Sequence, residues 1–203
     1  MKERLFTTKN IALMAIFSAI AAVLMILEFP IGIAPEFYKL DLSEIPILIG
    51  SFIMGPIAGV IMEVVKILLK LLMKPTSTAY VGELANFFVG CCLVVPASII
   101  YKYKKTLKGA LIGLGVGILT MSIVGTLSNY FVMIPFYSKF FKMPVDAIIG
   151  MGTKINGFVK NKFSFVAICV LPFNLVKGVV VSAATLLVYK RVSGMIKQIG
   201  NKK

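Results

Sequence analysis

Lys177 lies in the middle of an otherwise apolar run, PFNLVKGVVV, and Asn174 stands three residues before it. A helix puts the two on one face. VGELANF repeats the arrangement, with Glu83 and Asn86 also three apart, and SNYFVMIPFY holds a lone Asn129 among aromatic and aliphatic neighbours. An amide side chain both donates and accepts hydrogen bonds, an ammonium only donates and a carboxylate only accepts. Such a set suits recognition of a flat or hydroxylated polar ligand. For Glu83 and Asn86 a plain interhelical hydrogen bond explains the pattern equally well. Gly82 and Ala85 keep the surface beside them low. An ionisable group inside a membrane span costs about 3 kcal/mol on insertion scales and is by default a functional candidate, so Lys177 is the strongest single case.

Other chemistries are poorly supplied. The chain has no histidine, which excludes a histidine-based triad, an HExxH zinc site and a histidine-ligated haem. Cys91, Cys92 and Cys169 fall in apolar segments without metal-ligand spacing and read as small core residues, so no metal is expected. Gly109, Gly113, Gly115 and Gly117 lack the Lys-Ser/Thr of a nucleotide loop and read as a close helix-packing face. Outside the first loop and apart from Glu3 near the N-terminus, the carboxylates are Glu63, Glu83 and Asp146, on separate segments, which leaves no catalytic set and disfavours an integral membrane enzyme. Glu63 and Lys66 are three apart and can neutralise each other, whereas Lys70 and Lys74 lie nearer a helix end and are expected to snorkel.

The elements that carry these residues follow from composition. The 203 residues are 59% hydrophobic and 15% charged, with a mean hydropathy of +0.95. That describes an all-α integral membrane protein, with room for about six helices of roughly 20 residues. The expected organisation is one six-helix domain over residues 1–203, with helices at about 10–27, 44–55, 56–73, 79–100, 107–134 and 163–189. The first apolar run meets Glu28-Phe29-Pro30 rather than a small-residue cleavage site, so it reads as a retained helix rather than a signal peptide. Its Ala15 and Ala19, four apart, make a smooth face for internal packing or for a separate membrane subunit. Gly55-Pro56 reads as a tight break with Pro56 in the first turn of the next helix. The basic connection 138–162 reads as holding a short interfacial helix.

Between the first two helices runs EFPIGIAPEFYKLDLSE, acidic and punctuated by prolines, a candidate lid. Six crossings place both termini on the side of the 102–108 block. That side collects twelve basic residues: Lys2, Arg4, Lys9, Lys102, Lys104, Lys105, Lys108, Lys190, Arg191, Lys197, Lys202 and Lys203. The positive-inside rule makes it cytoplasmic and sets the lid outside, although five lysines in 138–162 then also face outward. The net charge of +14 is thereby spent on anchoring and orientation at the bilayer, and nucleic acid is not expected as a partner.

EFP with YKLDLSEIPILIG, FIMGPIAGVIMEVVKILLK, VGELANF, NYFVMIPFY and PFNLVKG together resemble the substrate-binding S-components of energy-coupling-factor (ECF) vitamin importers, the riboflavin-specific type in particular. The resemblance covers nearly the whole chain. It implies the six-helix S-component fold in the cell membrane, riboflavin as transported ligand with no cofactor, and a partnership with a transmembrane coupling subunit and two cytoplasmic ATPases. It also implies that Asn129, Asn174 and Lys177 contact the flavin. The Leu40–Asp41 segment and the start of the fourth helix, from Ala79 and Gly82 to Glu83 and Asn86, would lie near it, and Ala15 and Ala19 would meet the coupling subunit. The rivals are an S-component or small transporter for another vitamin or a flavin-like ligand and, less favoured, an integral membrane enzyme.

Overall fold

The structure is a computed structural model that describes residues 5–76 and 78–201, with side chains described as far as residue 191. Lys2, Arg4, Lys202 and Lys203 of the basic tally lie outside the described residues, as does the side chain of Lys197. Among the described residues the regular structure is helical apart from one two-stranded ribbon. Its helices are α1 (Thr8–Ile26), α2 (Glu44–Met54), α3 (Pro56–Met73), α4 (Val81–Tyr103), α5 (Leu107–Ser128), α6 (Ile134–Phe140), α7 (Val145–Ile155), α8 (Lys162–Phe165) and α9 (Leu171–Asn201). A π-helical turn, Asn129–Met133, joins α5 to α6, and another, Val166–Val170, joins α8 to α9.

Four of the described helical stretches are long and apolar enough to cross a membrane: Thr8–Ile26, Val81–Tyr103, Leu107–Phe140 and Lys162–Arg191. The fifth helix thus runs beyond Ile134 without a break. The fourth begins at Val81, two residues later than expected, because Ala79 and Tyr80 take left-handed backbone angles (φ 50° and 66°) that end the preceding turn. α3 is of spanning length but holds Glu63, Lys66 and Lys70, all turned inward. α7 is the short helix expected in the 138–162 connection; it buries Ile148 and Gly152.

α2 is short because it is central. Its residues from Pro46 to Phe52 are all buried, and it packs on α1, α3, α4 and α9, as a helix apolar on every side must. Gly55 (φ 96°) reverses the chain at its end and Pro56 opens α3, where a missing N–H matters little. α4 and α5 meet along glycines: a Cβ at Gly113 would lie 2.6 Å from the Ala97 carbonyl oxygen, and one at Gly117 2.5 Å from that of Leu93. Those neighbours are backbone and cannot yield, so Gly113 and Gly117 form a packing seam, whereas Gly115 is exposed and faces open space, contrary to the expectation for it.

Two apolar cores result. The larger gathers Met14, Ile47, Phe52, Met62, Leu93, Leu114 and Val181, closed off by a Phe52–Tyr101 stack and a 2.9 Å Tyr101–Tyr189 hydroxyl contact. The smaller, made of Ala34, Ile134, Ile148, Val159, Phe165, Val170 and Phe173, lies at the other end of the bundle, under the first loop. In that loop Phe29–Pro30 (β1) and Lys39–Leu40 (β2) pair antiparallel, with Phe29 opposite Leu40.

Candidate ligand-binding site

The first loop is bolted down at two points. Asp41 Oδ2 accepts from Lys177 Nζ at 2.7 Å, across 136 residues of sequence. Asp41 also accepts from the Ser43 backbone N–H at 2.9 Å and from the Ser43 hydroxyl. Burial alone would raise its carboxyl. The Lys177 and Lys66 ammonium groups and the Lys177 and Ser43 hydrogen bonds outweigh burial, and the group is held below the usual aspartate range. The second bolt is Tyr38, whose hydroxyl donates to Asn129 Oδ1 at 2.5 Å. Its ring lies 5.4 Å from Phe173 and 6.4 Å from Phe165, centroid to centroid. Burial pushes its phenol upward, so Tyr38 remains a neutral donor.

Asn129 and Asn174 are brought together around one glycine. Asn129 Nδ2 donates to the Gly125 carbonyl at 2.8 Å, and a Cβ on Gly125 would lie 2.9 Å from Asn174 Nδ2. Asn174 Nδ2 in turn donates to the Val170 carbonyl, the last of its π-helical turn, at 3.0 Å. Asn129 opens the other π-helical turn. A π turn shifts the backbone hydrogen-bond register, and each asparagine amide serves a carbonyl four residues back. Of the residues expected here, Asn129, Asn174, Lys177, Asp41 and the buried Leu40 are thus gathered under the loop. Gly125 and Tyr38 join them, neither of which the sequence singled out as a site residue. Their signals were a lone glycine one turn before Asn129 and a lone tyrosine in the lid.

The start of α4 forms a separate group. Glu83 accepts from Lys70 Nζ at 2.5 Å, from Thr76 Oγ1 at 2.9 Å and from Thr78 Oγ1 at 2.8 Å. Lys70 therefore does not snorkel: it is turned inward because Glu83 offers it a buried partner. Gly82 N–H donates to Thr78 Oγ1, and a Cβ there would lie 2.6 Å from that oxygen. Ala79 sits just ahead in the left-handed turn. Asn86 faces a different lysine, its Oδ1 accepting from Lys66 Nζ at 3.1 Å. Lys66 also lies 3.4 Å from Ser43 Oγ, which links Asn86 to the Asp41–Lys177 bolt. Glu83 and Asn86, on one helix face, thus serve two lysines. Beside them an apolar groove of about 360 Å³, lined by Val64, Ile67, Leu68, Leu71, Leu84 and Phe87, opens between α3 and α4.

A polar cluster set in a bundle of apolar helices and covered by a loop can hold a ligand. The comparisons with known proteins agree with that. Residues 9–189 match the model of the ECF transporter substrate-specific component. The chain belongs to that family. It is 35% identical to a protein named riboflavin transporter RibU from Staphylococcus aureus, over 94% of each chain. It is 29% identical to one named riboflavin transporter FmnP from Bacillus subtilis, over 94% of this chain and 95% of that one. A solved structure described as the S component of a bacterial ECF transporter superposes with a TM-score of 0.73 at 34% identity, covering 93% of this chain and 98% of that one. The S-component fold and a multi-pass membrane location follow, and the chain is a transporter component rather than an enzyme.

One side of α1 is left uncovered by the rest of the described chain. Ala15 and Ala19 are exposed, in line with Ile11, Ile16, Ile20 and Val23, while Met14, Ser18, Ala21 and Ala22 face inward. Internal packing, one of the two readings of the alanine pair, is therefore carried by the opposite face.

Proposed function

We propose that the chain is the riboflavin-binding subunit of an ECF importer. It captures the vitamin outside the cell and hands it on through a transmembrane coupling subunit driven by two cytoplasmic ATPases. In this reading residues 1–203 form one domain with six crossings: α1, α2, α3, α4, α5 continued through α6, and α8 continued through α9. Both termini are cytoplasmic. The exposed Lys102, Lys104, Lys105 and Lys108 around the junction of α4 and α5, with Lys190 and Arg191 at the end of the apolar span that runs into α9, support that orientation.

The observation that carries the reading is the pair of bolts, Asp41 on Lys177 and Tyr38 on Asn129. The lid satisfies the polar groups that a ligand would use. Riboflavin is uncharged, with a flat tricycle edged by carbonyls and ring nitrogens and a hydroxylated tail. Each polar edge left unpaired on burial costs about 1–3 kcal/mol, so a matching set of amides and an ammonium is what binding requires. Asn129 and Asn174 offer donor and acceptor to the ring edge, and Lys177 donates to a carbonyl or hydroxyl. Phe165, Phe173 and Tyr38 supply the apolar wall. Leu40 and Asp41 close from above, with Ala79, Gly82, Glu83 and Asn86 at the rim.

The names borne by the relatives in S. aureus and B. subtilis support riboflavin over other vitamins. Uptake of labelled riboflavin by cells expressing the chain tests the partnership. Concentrative uptake is expected only when the coupling subunit and both ATPases are co-expressed. Equal accumulation by the chain alone would refute it.

A further inference from the structure

A second charged cluster lies where α2, α3 and α4 meet. Glu44 and Glu63 are both fully buried, and Lys66 Nζ stands between them, 2.7 Å from Glu44 Oε1 and 2.6 Å from Glu63 Oε2. The same two carboxyl groups press against Gly90 of α4, where a Cβ would lie 2.8 Å from Glu63 Oε1 and 2.9 Å from Glu44 Oε1. Both carboxyl groups therefore converge on one ammonium and on one point of α4. An ionised carboxylate only accepts, so two carboxylates brought together have no hydrogen to share. Glu44 Oε2 and Glu63 Oε1 are buried and find no donor among the described residues.

The surroundings lead to the same count. Facing the pair is Lys66 from α3, which also reaches Asn86 Oδ1 of α4 at 3.1 Å and Ser43 Oγ at the start of α2 at 3.4 Å; the Cys91 thiol of α4 lies nearby, and from α1 the Ser18 hydroxyl donates to the neighbouring Met62 carbonyl. Through Ser43 the network reaches Asp41 and, on α9, Lys177. Three carboxyl groups, Asp41, Glu44 and Glu63, therefore share two ammonium groups, Lys66 and Lys177, and none of the five is more than 6% exposed. An uncompensated charge in such a place is strongly disfavoured.

We propose that Glu44 and Glu63 form a proton-binding site, in which one carboxyl retains its hydrogen and donates it to the other. A metal cation does not suit the site, because the Lys66 ammonium already fills the space between the carboxyls and would repel it. The inference does not depend on the identity of the transported ligand. Its consequence reaches the lid, since the retained proton leaves two carboxylates to match two ammonium groups in the network that ends on Asp41 and Lys177.

Infrared spectroscopy of the purified full chain in lipid nanodiscs at neutral pH reads the proton directly, through the C=O stretch of a protonated carboxylic acid that carboxylates lack. The wild type is expected to show this band. Glu63→Gln and Glu44→Gln are each expected to lose it, because either leaves two carboxylates to two ammonium groups, and the new amide supplies the missing donor. Circular dichroism checks that each variant is folded. A wild-type spectrum without the band, or a band that survives in either folded variant, overturns the proposal.

Discussion

Lys177 and Asp41 hold each other inside the protein, and this complicates a simple substitution. Removing one member of a buried ion pair costs about 3–5 kcal/mol, because the other is left unpaired. Lys177→Met should therefore lower the thermal stability of the ligand-free protein and also weaken riboflavin binding at least about tenfold, or ~1.4 kcal/mol. The double variant Asp41→Asn/Lys177→Met removes both charges and should recover much of the stability while leaving binding weak. Recovery of both together would assign Lys177 a purely structural role. That Lys177 is a candidate could be read from one ionisable group deep in an apolar run. Its partner could not, since 136 residues separate it from Asp41. Lys70 was misread for a related reason: helix spacing reports neighbours on its own helix, and Glu83 comes to it from the next one.

At the scale of elements, the first loop and the two π-helical turns build the site between them. The turns at Asn129–Met133 and Val166–Val170 have no marker in the apolar periodicity, so helices five and six read as uninterrupted. Other breaks were plain. Gly55-Pro56 announced itself by residue type, as did the glycine row of α5, whose positions 113 and 117 rest on α4 carbonyls. The lid was legible as acidic and proline-rich; within it Lys39 pairs with Glu28 at 3.1 Å, and Glu28 also meets Lys74. What composition could not give was the grip of Tyr38 on Asn129. Deleting Ile31–Pro35, which includes the left-handed Gly32 at the turn, should loosen that grip. Riboflavin dissociation is expected to speed up while membrane insertion is retained; an unchanged off-rate measured by stopped flow would make the loop a mere connector.

For the whole molecule, hydropathy alone identified the membrane class, and the motifs together pointed to the family. The count of crossings is harder to read from apolarity, because α2 is short and buried and α3 carries three charges inward. The outward alanine face of α1 is the surface proposed to meet the coupling subunit. Ala15→Leu/Ala19→Leu roughens that face without touching the lid. Co-purification with the coupling subunit should fall sharply while riboflavin affinity stays unchanged; undiminished co-purification would move the docking surface elsewhere.

Riboflavin binding by the bundle alone, beneath the first loop, is what the proposed function most depends on. It can be measured by equilibrium titration of the purified, ligand-free chain with riboflavin, following the quenching of flavin fluorescence, alongside thiamine and biotin as competitors. Saturable binding of one riboflavin per chain that neither competitor displaces is expected. Absence of saturable binding, or displacement by another vitamin, would contradict the proposed function.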